Sequence, residues 1–130
     1  MTVRFSPVVR VLCFIAVIAV ALQLCALPEP GFAERIVEAT WDKAVHATVY
    51  GGIAFLLWVG FAGRGTLLIW ALVVLVGAVD ETHQIFVPGR DPDLHDLYAD
   101  ALGAMAVLLF LQALASVRFF PPAARSYSGD

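Results

Sequence analysis

Four apolar stretches, each about 20 residues long, dominate the chain and are separated by short polar breaks. They cover approximately residues 8–27, 43–62, 66–87 and 96–117. An apolar helix of about 20 residues, rising ~1.5 Å per residue, crosses the ~30 Å hydrocarbon core of a bilayer. The pattern therefore predicts an all-α membrane protein, a bundle of four transmembrane helices within residues 8–120.

The breaks between these stretches carry turn signals. Residues 28–41 form a polar connector, and Gly63-Arg64-Gly65 predicts a tight turn. Residues 88–92 hold two prolines and a glycine, which end one helix before the next begins. Residues 1–7 are expected to be a short N-terminal segment, and residues 121–130 a disordered tail.

Composition agrees with a lipid environment. Of 130 residues, 61% are hydrophobic and 15% charged, whereas a soluble domain has about 25% charged residues. Membrane lipid is therefore the expected partner. A net charge of -3 without a basic stripe excludes a nucleic-acid partner.

The distribution of Lys and Arg predicts orientation, because cytoplasmic loops are enriched in these residues. Five basic residues fall on one side of the predicted bundle: Arg4, Arg10, Arg64, Arg118 and Arg125. Three fall on the other: Arg35, Lys43 and Arg90. Both termini are therefore expected in the cytoplasm.

Polar residues concentrate at the predicted outer ends of three helices. Asp42, Lys43, His46 and Tyr50 open the second helix; Asp80, Glu81 and Gln84 lie near the end of the third; Asp96 and Asp100 open the fourth, preceded by Arg90. Residues four apart share a helical face. All three helices are therefore expected to deliver polar groups to one layer, with Lys43 close to an acid of the third helix or of the fourth helix entrance.

These residues also carry a resemblance. Asp42-Lys43-x-x-His46-x-x-x-Tyr50, Asp80-Glu81-x-x-Gln84-x-Phe86-x-Pro88-Gly89-Arg90 and Asp96-x-x-x-Asp100-x-x-Gly103 resemble the VanZ-like family. The resemblance implies a multi-pass protein of the bacterial cytoplasmic membrane with a role at the cell envelope. The family is named for a member linked to resistance to the lipoglycopeptide antibiotic teicoplanin. Members of the family usually carry Asn where this chain has Asp100. The Asp100 side chain keeps the hydrogen-bond acceptors of Asn but lacks its amide donors.

Three functions fit the cluster. The leading hypothesis is binding of an amphiphile with an anionic head through Lys43, Arg90, His46 and the positive N-termini of the second and fourth helices. The second is an enzyme acting on a lipid-linked substrate, with His46 and Asp80 or Glu81 as acid and base. The third is a scaffold in which the polar groups only lock the helices. A divalent cation held by the acids and His46, or a proton relay through them, is a further alternative. No metal or cofactor is predicted, and oligomeric state is not predicted.

Overall fold

The computed structural model describes residues 5–26, 32–88 and 92–117. The expectations for residues 1–4, Arg90 and the tail 121–130 therefore lie outside the described residues. The described residues form four helices: α1 (Pro7–Ala26), α2 (Phe32–Gly60), α3 (Thr66–Gln84) and α4 (Leu94–Val117).

All four helices contain a segment long and apolar enough to span a membrane, which in α2 is Trp41–Gly60. Their outward faces carry large apolar side chains with more than half of their surface exposed, among them Ile18, Leu67, Leu75 and Leu109. In water, each such side chain would lose roughly 1.5–3 kcal/mol of the free energy gained on burial, so lipid is the solvent of these faces. The prediction of an all-α, four-helix membrane protein is confirmed.

Helix bounds differ from the sequence prediction at the polar ends. α2 begins at Phe32 rather than near Lys43, so most of the predicted connector is an extension of this helix. α3 ends at Gln84, before the predicted residue 87, and the chain then turns with Val87 N–H donating to the Gln84 carbonyl at 3.0 Å.

The predicted turn between α2 and α3 is a helix-ending motif that begins one residue earlier. The Gly63 N–H donates to the Trp58 carbonyl at 2.8 Å, and the Ala62 N–H donates to the Val59 carbonyl at 3.0 Å. This is the Schellman pattern, which places its C′ residue in the left-handed region. Here that residue is Ala62, with φ 54°.

The core lies where α2 and α4 pack against each other, the most extensive helix pair in the bundle. α1 packs on α2, and α3 packs mainly on α4. The closest approach is at Gly103, where an added Cβ would overlap the backbone of Ala47. Small residues allow this kind of backbone contact between membrane helices. It sets the register in which the polar side chains of α2 meet those of α4.

Candidate functional site

The polar residues of three helices meet at the end of the bundle opposite the α2–α3 turn. The structure brings together eight of the predicted site residues that it describes: Asp42, Lys43, His46, Tyr50, Asp80, Glu81, Asp96 and Asp100. Gln84 is buried at the end of α3. α2 supplies the first four from the first half of its membrane segment, α3 supplies Asp80 and Glu81 from its last two turns, and α4 supplies two from its first two turns. Arg90 lies outside the described residues.

Lys43 is surrounded by acids from α2 and from the entrance of α4. Its Nζ lies 2.9 Å from Asp93 Oδ2 and 3.5 Å from Asp42 Oδ2, and it also contacts Asp96 Oδ1. The expected contact between Lys43 and an acid of the fourth helix entrance is confirmed. All three donors of the ammonium have carboxylate partners, so a further anion would have to compete with them.

Asp93 is a site residue that the sequence analysis missed. Its side chain accepts the His95 backbone N–H at 2.8 Å, so it is the N-cap of α4. The Lys43 ammonium and these His95 contacts hold the pKa of the Asp93 carboxyl below its usual value of 3.8. The signal in the sequence was an Asp between Pro92 and the apolar start of a helix, a typical N-cap position.

His46 connects α2 to the most deeply buried acid of α4. Its Nδ1 lies 2.9 Å from Oδ1 of Asp100, whose exposed fraction is 0%. If the Asp100 carboxylate is ionised, it only accepts hydrogen bonds, and the proton of this contact is then on Nδ1. Nε2 faces the other way, 3.8 Å from Asp42 Oδ1 and 3.9 Å from Asp96 Oδ2. Among the described residues, Asp42, His46 and Asp96 form a group that could hold a metal ion.

Tyr50 links α2 to α3. Its hydroxyl donates to Asp80 Oδ2 at 3.2 Å, and both side chains are buried. The Tyr50 ring stacks on the imidazole of His46, with ring centroids 6.0 Å apart. One face of α2 therefore contacts both neighbouring helices, as its four-residue spacing predicted.

Glu81 links α3 to the start of α4. Its Oε2 accepts the Asp93 backbone N–H at 2.9 Å, whereas its Oε1 is buried without a hydrogen-bond partner. Oδ2 of Asp100 is likewise buried without a partner, and it lies so close to Gly77 that a Cβ there would be 2.6 Å away. The adjacent Gln84 is buried as well. Buried polar atoms normally have partners, so the two carboxylate oxygens indicate protons or a bound group.

The helix N-termini offer less positive potential to an anion than the sequence predicts. The N-terminus of α2 is at Phe32 rather than beside Asp42, so its positive end does not point at the cluster. At the N-terminus of α4, the His95 N–H is taken by the Asp93 side chain and the Asp96 N–H by the Asp93 carbonyl. Within the described residues, four acids lie against Lys43 or His46: Asp42, Asp93, Asp96 and Asp100. Asp80 and Glu81 complete a cluster of six acids through Tyr50 and the Asp93 backbone N–H.

Exposed aromatic side chains lie at the same end of the bundle. Trp41, Phe86 and Tyr98 have exposed fractions of 66%, 78% and 64%, which is typical of the aromatic belt at a membrane surface. His83 and His95 are also exposed. Within the described residues, the His95 side chain contacts the cluster through Asp93.

Fold and site together define a class: a polytopic all-α membrane protein with a buried acidic cluster at one end of its helix bundle. The chain matches the family model described as VanZ/LLP1 over residues 14–115. It therefore belongs to this family, and the match covers α1 to α4. Comparison with curated proteins and with solved structures gives no significant match.

Proposed function

We propose that this chain binds a membrane amphiphile, with the apolar part of the ligand between α3 and α4 and its polar head on the acidic cluster. The observation that supports this most directly is a lipid-facing cleft of about 380 Å³ between these helices, in whose wall Glu81 is the charged residue. The remaining lining is mostly apolar and includes Ala78, Ile85 and Leu97. An apolar cleft with a few placed polar groups is the usual form of a small-molecule site.

The acids define the chemistry of the head. Glu81 has an oxygen without a partner, and Lys43 is already paired with three carboxylates. A head that donates hydrogen bonds, through amine, amide or hydroxyl groups, matches this surface better than the purely anionic head predicted from the sequence. A lipoglycopeptide such as teicoplanin belongs to this chemical class, because it joins an acyl chain to a peptide and sugars. We therefore include protection of the cell envelope against such a compound in the proposal.

Native mass spectrometry of the detergent-purified protein with added teicoplanin tests this binding. Ala78→Phe fills the cleft, whereas Ala71→Phe places the same side chain on an exposed part of α3 that does not line it. We expect one teicoplanin per chain in the wild type and in Ala71→Phe, none in Ala78→Phe, and weaker binding in Glu81→Gln. Equal binding by all four proteins would refute the proposed site.

Phosphatidylglycerol and phosphatidylethanolamine, added in parallel, separate the two kinds of head. The first is anionic without an amine, and the second carries an amine. A preference for phosphatidylethanolamine that Glu81→Gln abolishes supports a donor head. A preference for phosphatidylglycerol that Lys43→Ala abolishes would instead support the anionic head.

A second candidate function is acid–base catalysis on a lipid-linked substrate. The observation that favours it is the pair His46–Asp100. A buried carboxylate beside Nδ1 orients the imidazole, so that Nε2 can accept and donate protons as a general base and acid. Release of product from the bound amphiphile, lost in His46→Ala but kept in the matched variant His83→Ala, would identify an enzyme. Unchanged mass of the ligand after prolonged incubation would exclude catalysis on that ligand.

The proposal also includes the orientation predicted from basic residues, with the cluster on the outer face. Reporter fusions within 63–65 should be active only as cytoplasmic reporters, and fusions within 88–95 only as external ones. The reverse result would place the cluster in the cytoplasm and remove the link to an external antibiotic.

A further inference from the structure

We infer that Asp42, His46 and Asp96 form a binding site for a divalent transition-metal ion. The three side chains each offer one donor atom, and these atoms lie within 4.8 Å of one another. The residues come from two helices, since Asp42 and His46 are one turn apart on α2 and Asp96 is in the first turn of α4.

The orientation of His46 is that of a metal ligand. Its Nδ1 lies 2.9 Å from Asp100 Oδ1, and with the proton on Nδ1 the Nε2 lone pair is on the side of the Asp42 and Asp96 carboxylates. A carboxylate on the far nitrogen is the usual support of a metal-binding histidine, because it fixes the ring and raises its basicity. At 3.8 and 3.9 Å, the Nε2–oxygen distances are too long for hydrogen bonds. They are close to the separation of two ligands that share one ion, since metal–ligand bonds of about 2.0–2.2 Å span up to about 4 Å.

Lys43 does not take the oxygens that the ion needs. It contacts Oδ2 of Asp42 and Oδ1 of Asp96, whereas Oδ1 of Asp42 and Oδ2 of Asp96 face His46. Each carboxylate therefore has one oxygen toward the lysine and one toward the proposed ion.

A second observation comes from Glu81, which is 7% exposed. Its Oε1 has no hydrogen-bond partner among the described residues, and its Oε2 joins the acidic cluster through the Asp93 backbone N–H at 2.9 Å. A partnerless buried carboxylate oxygen in this cluster indicates a proton or a positive charge that the described side chains do not supply. If all six acids of the cluster are ionised, Lys43 and a protonated His46 leave four negative charges. A dication offsets two of them.

The donor set of one imidazole and two carboxylates suits Mn²⁺ and Zn²⁺ better than the all-oxygen sites of Ca²⁺ or the thiolate sites of structural zinc. Mn²⁺ alone is the probe of choice, because the electron paramagnetic resonance signal of the free ion is lost on binding. We expect the full-length, chelator-stripped protein in detergent to bind one Mn²⁺ per chain, with Zn²⁺ competing.

Asp96→Asn and His46→Ala should weaken Mn²⁺ binding at least about tenfold. Asp42 is less buried than Asp96, so Asp42→Asn tests the site with less risk to folding and should weaken it to a similar degree. His83→Ala is the matched control, since it removes an exposed histidine of α3 and should leave binding unchanged.

Pulsed measurement of nitrogen coupling to bound Mn²⁺ gives a readout that a structural role would not change. The imidazole coupling should be present in wild type and His83→Ala and absent in His46→Ala. Bound Mn²⁺ without nitrogen coupling, unchanged affinity in Asp42→Asn, or no stoichiometric binding up to millimolar Mn²⁺ would each overturn the metal site. The titration contains no added amphiphile, so its failure leaves the proposed amphiphile binding standing, and a failure of amphiphile binding leaves the metal site standing.

Discussion

Replacing Gly103 by alanine should separate α2 from α4 and disconnect His46 from Asp100. An alanine Cβ at this position would lie 2.6 Å from the Ala47 Cα and 2.7 Å from its carbonyl carbon. Carbon atoms pack at about 3.5–4.0 Å, so the two helices have to move apart by about 1 Å. Because the alanine Cβ would meet backbone atoms of Ala47, no side-chain rotation relieves this contact.

The cost has two parts. Overpacking of this kind destabilises by about 1–3 kcal/mol. The His46 Nδ1 to Asp100 Oδ1 distance of 2.9 Å would lengthen by the same ~1 Å and leave the hydrogen-bonding range. An interhelical polar contact in a membrane contributes about 0.6–2 kcal/mol. From these two parts together, we expect the free energy of unfolding to fall by about 2–5 kcal/mol.

Gly52→Ala is the matched control, because an added Cβ at Gly52 meets nothing within 4 Å. Both glycines are inside helices, so both variants gain the higher helix propensity of alanine, worth up to ~1 kcal/mol. Unfolding by SDS in mixed micelles, followed by circular dichroism, measures both proteins. If Gly103→Ala unfolds at the same SDS fraction as Gly52→Ala, the close contact between Gly103 and Ala47 is wrong.

Three further changes test the polar contacts. Tyr50→Phe removes a buried hydroxyl that donates to the Asp80 carboxylate at 3.2 Å, and it should lower the free energy of unfolding in the SDS assay by about 1–2 kcal/mol. Tyr98→Phe, at an exposed position, should change it by less than ~0.5 kcal/mol. Equal effects of the two substitutions would contradict the Tyr50 contact. Lys43→Ala leaves its acidic partners uncompensated, so the double variant Lys43→Ala/Asp96→Asn should be more stable than Lys43→Ala alone, and a double variant that is less stable would refute the pairing. The pKa of Asp93 is lower in the folded protein than its ordinary 3.8, so its contribution is present at neutral pH and is lost only as pH falls below that value; acid unfolding that is identical in wild type and Asp93→Asn would contradict this.

The membrane spans could be predicted because apolar composition and bilayer thickness fix them directly. The extension of α2 could not, since residues 32–40 are too polar to carry a membrane signal. The sequence does contain helix formers there, such as Ala33 and Glu34. Helix propensity is a weak signal beside the proline and glycine at the start of the connector, so the sequence pattern predicts a connector there.

The meeting of three polar stripes could also be predicted, because a spacing of four residues fixes which side chains share a face. Which acid pairs with which base could not. That pairing depends on how far α2 and α4 slide along each other, and the backbone contact between Ala47 and Gly103 sets this register. Sequence spacing inside one helix says nothing about the register between two.

The polar contacts that α2 and α3 make with α4 and its N-cap have a consequence for biosynthesis. Tyr50 and Asp80 belong to helices that are both made before α4, so this pair can form as soon as α3 enters the bilayer. His46 and Glu81 have to wait, because Asp100 and the Asp93 backbone N–H emerge later from the ribosome. During that interval the two side chains face water or the insertion machinery. The polar end of the bundle is therefore completed last, and a nascent chain that stops before α4 leaves His46 and Glu81 without these partners.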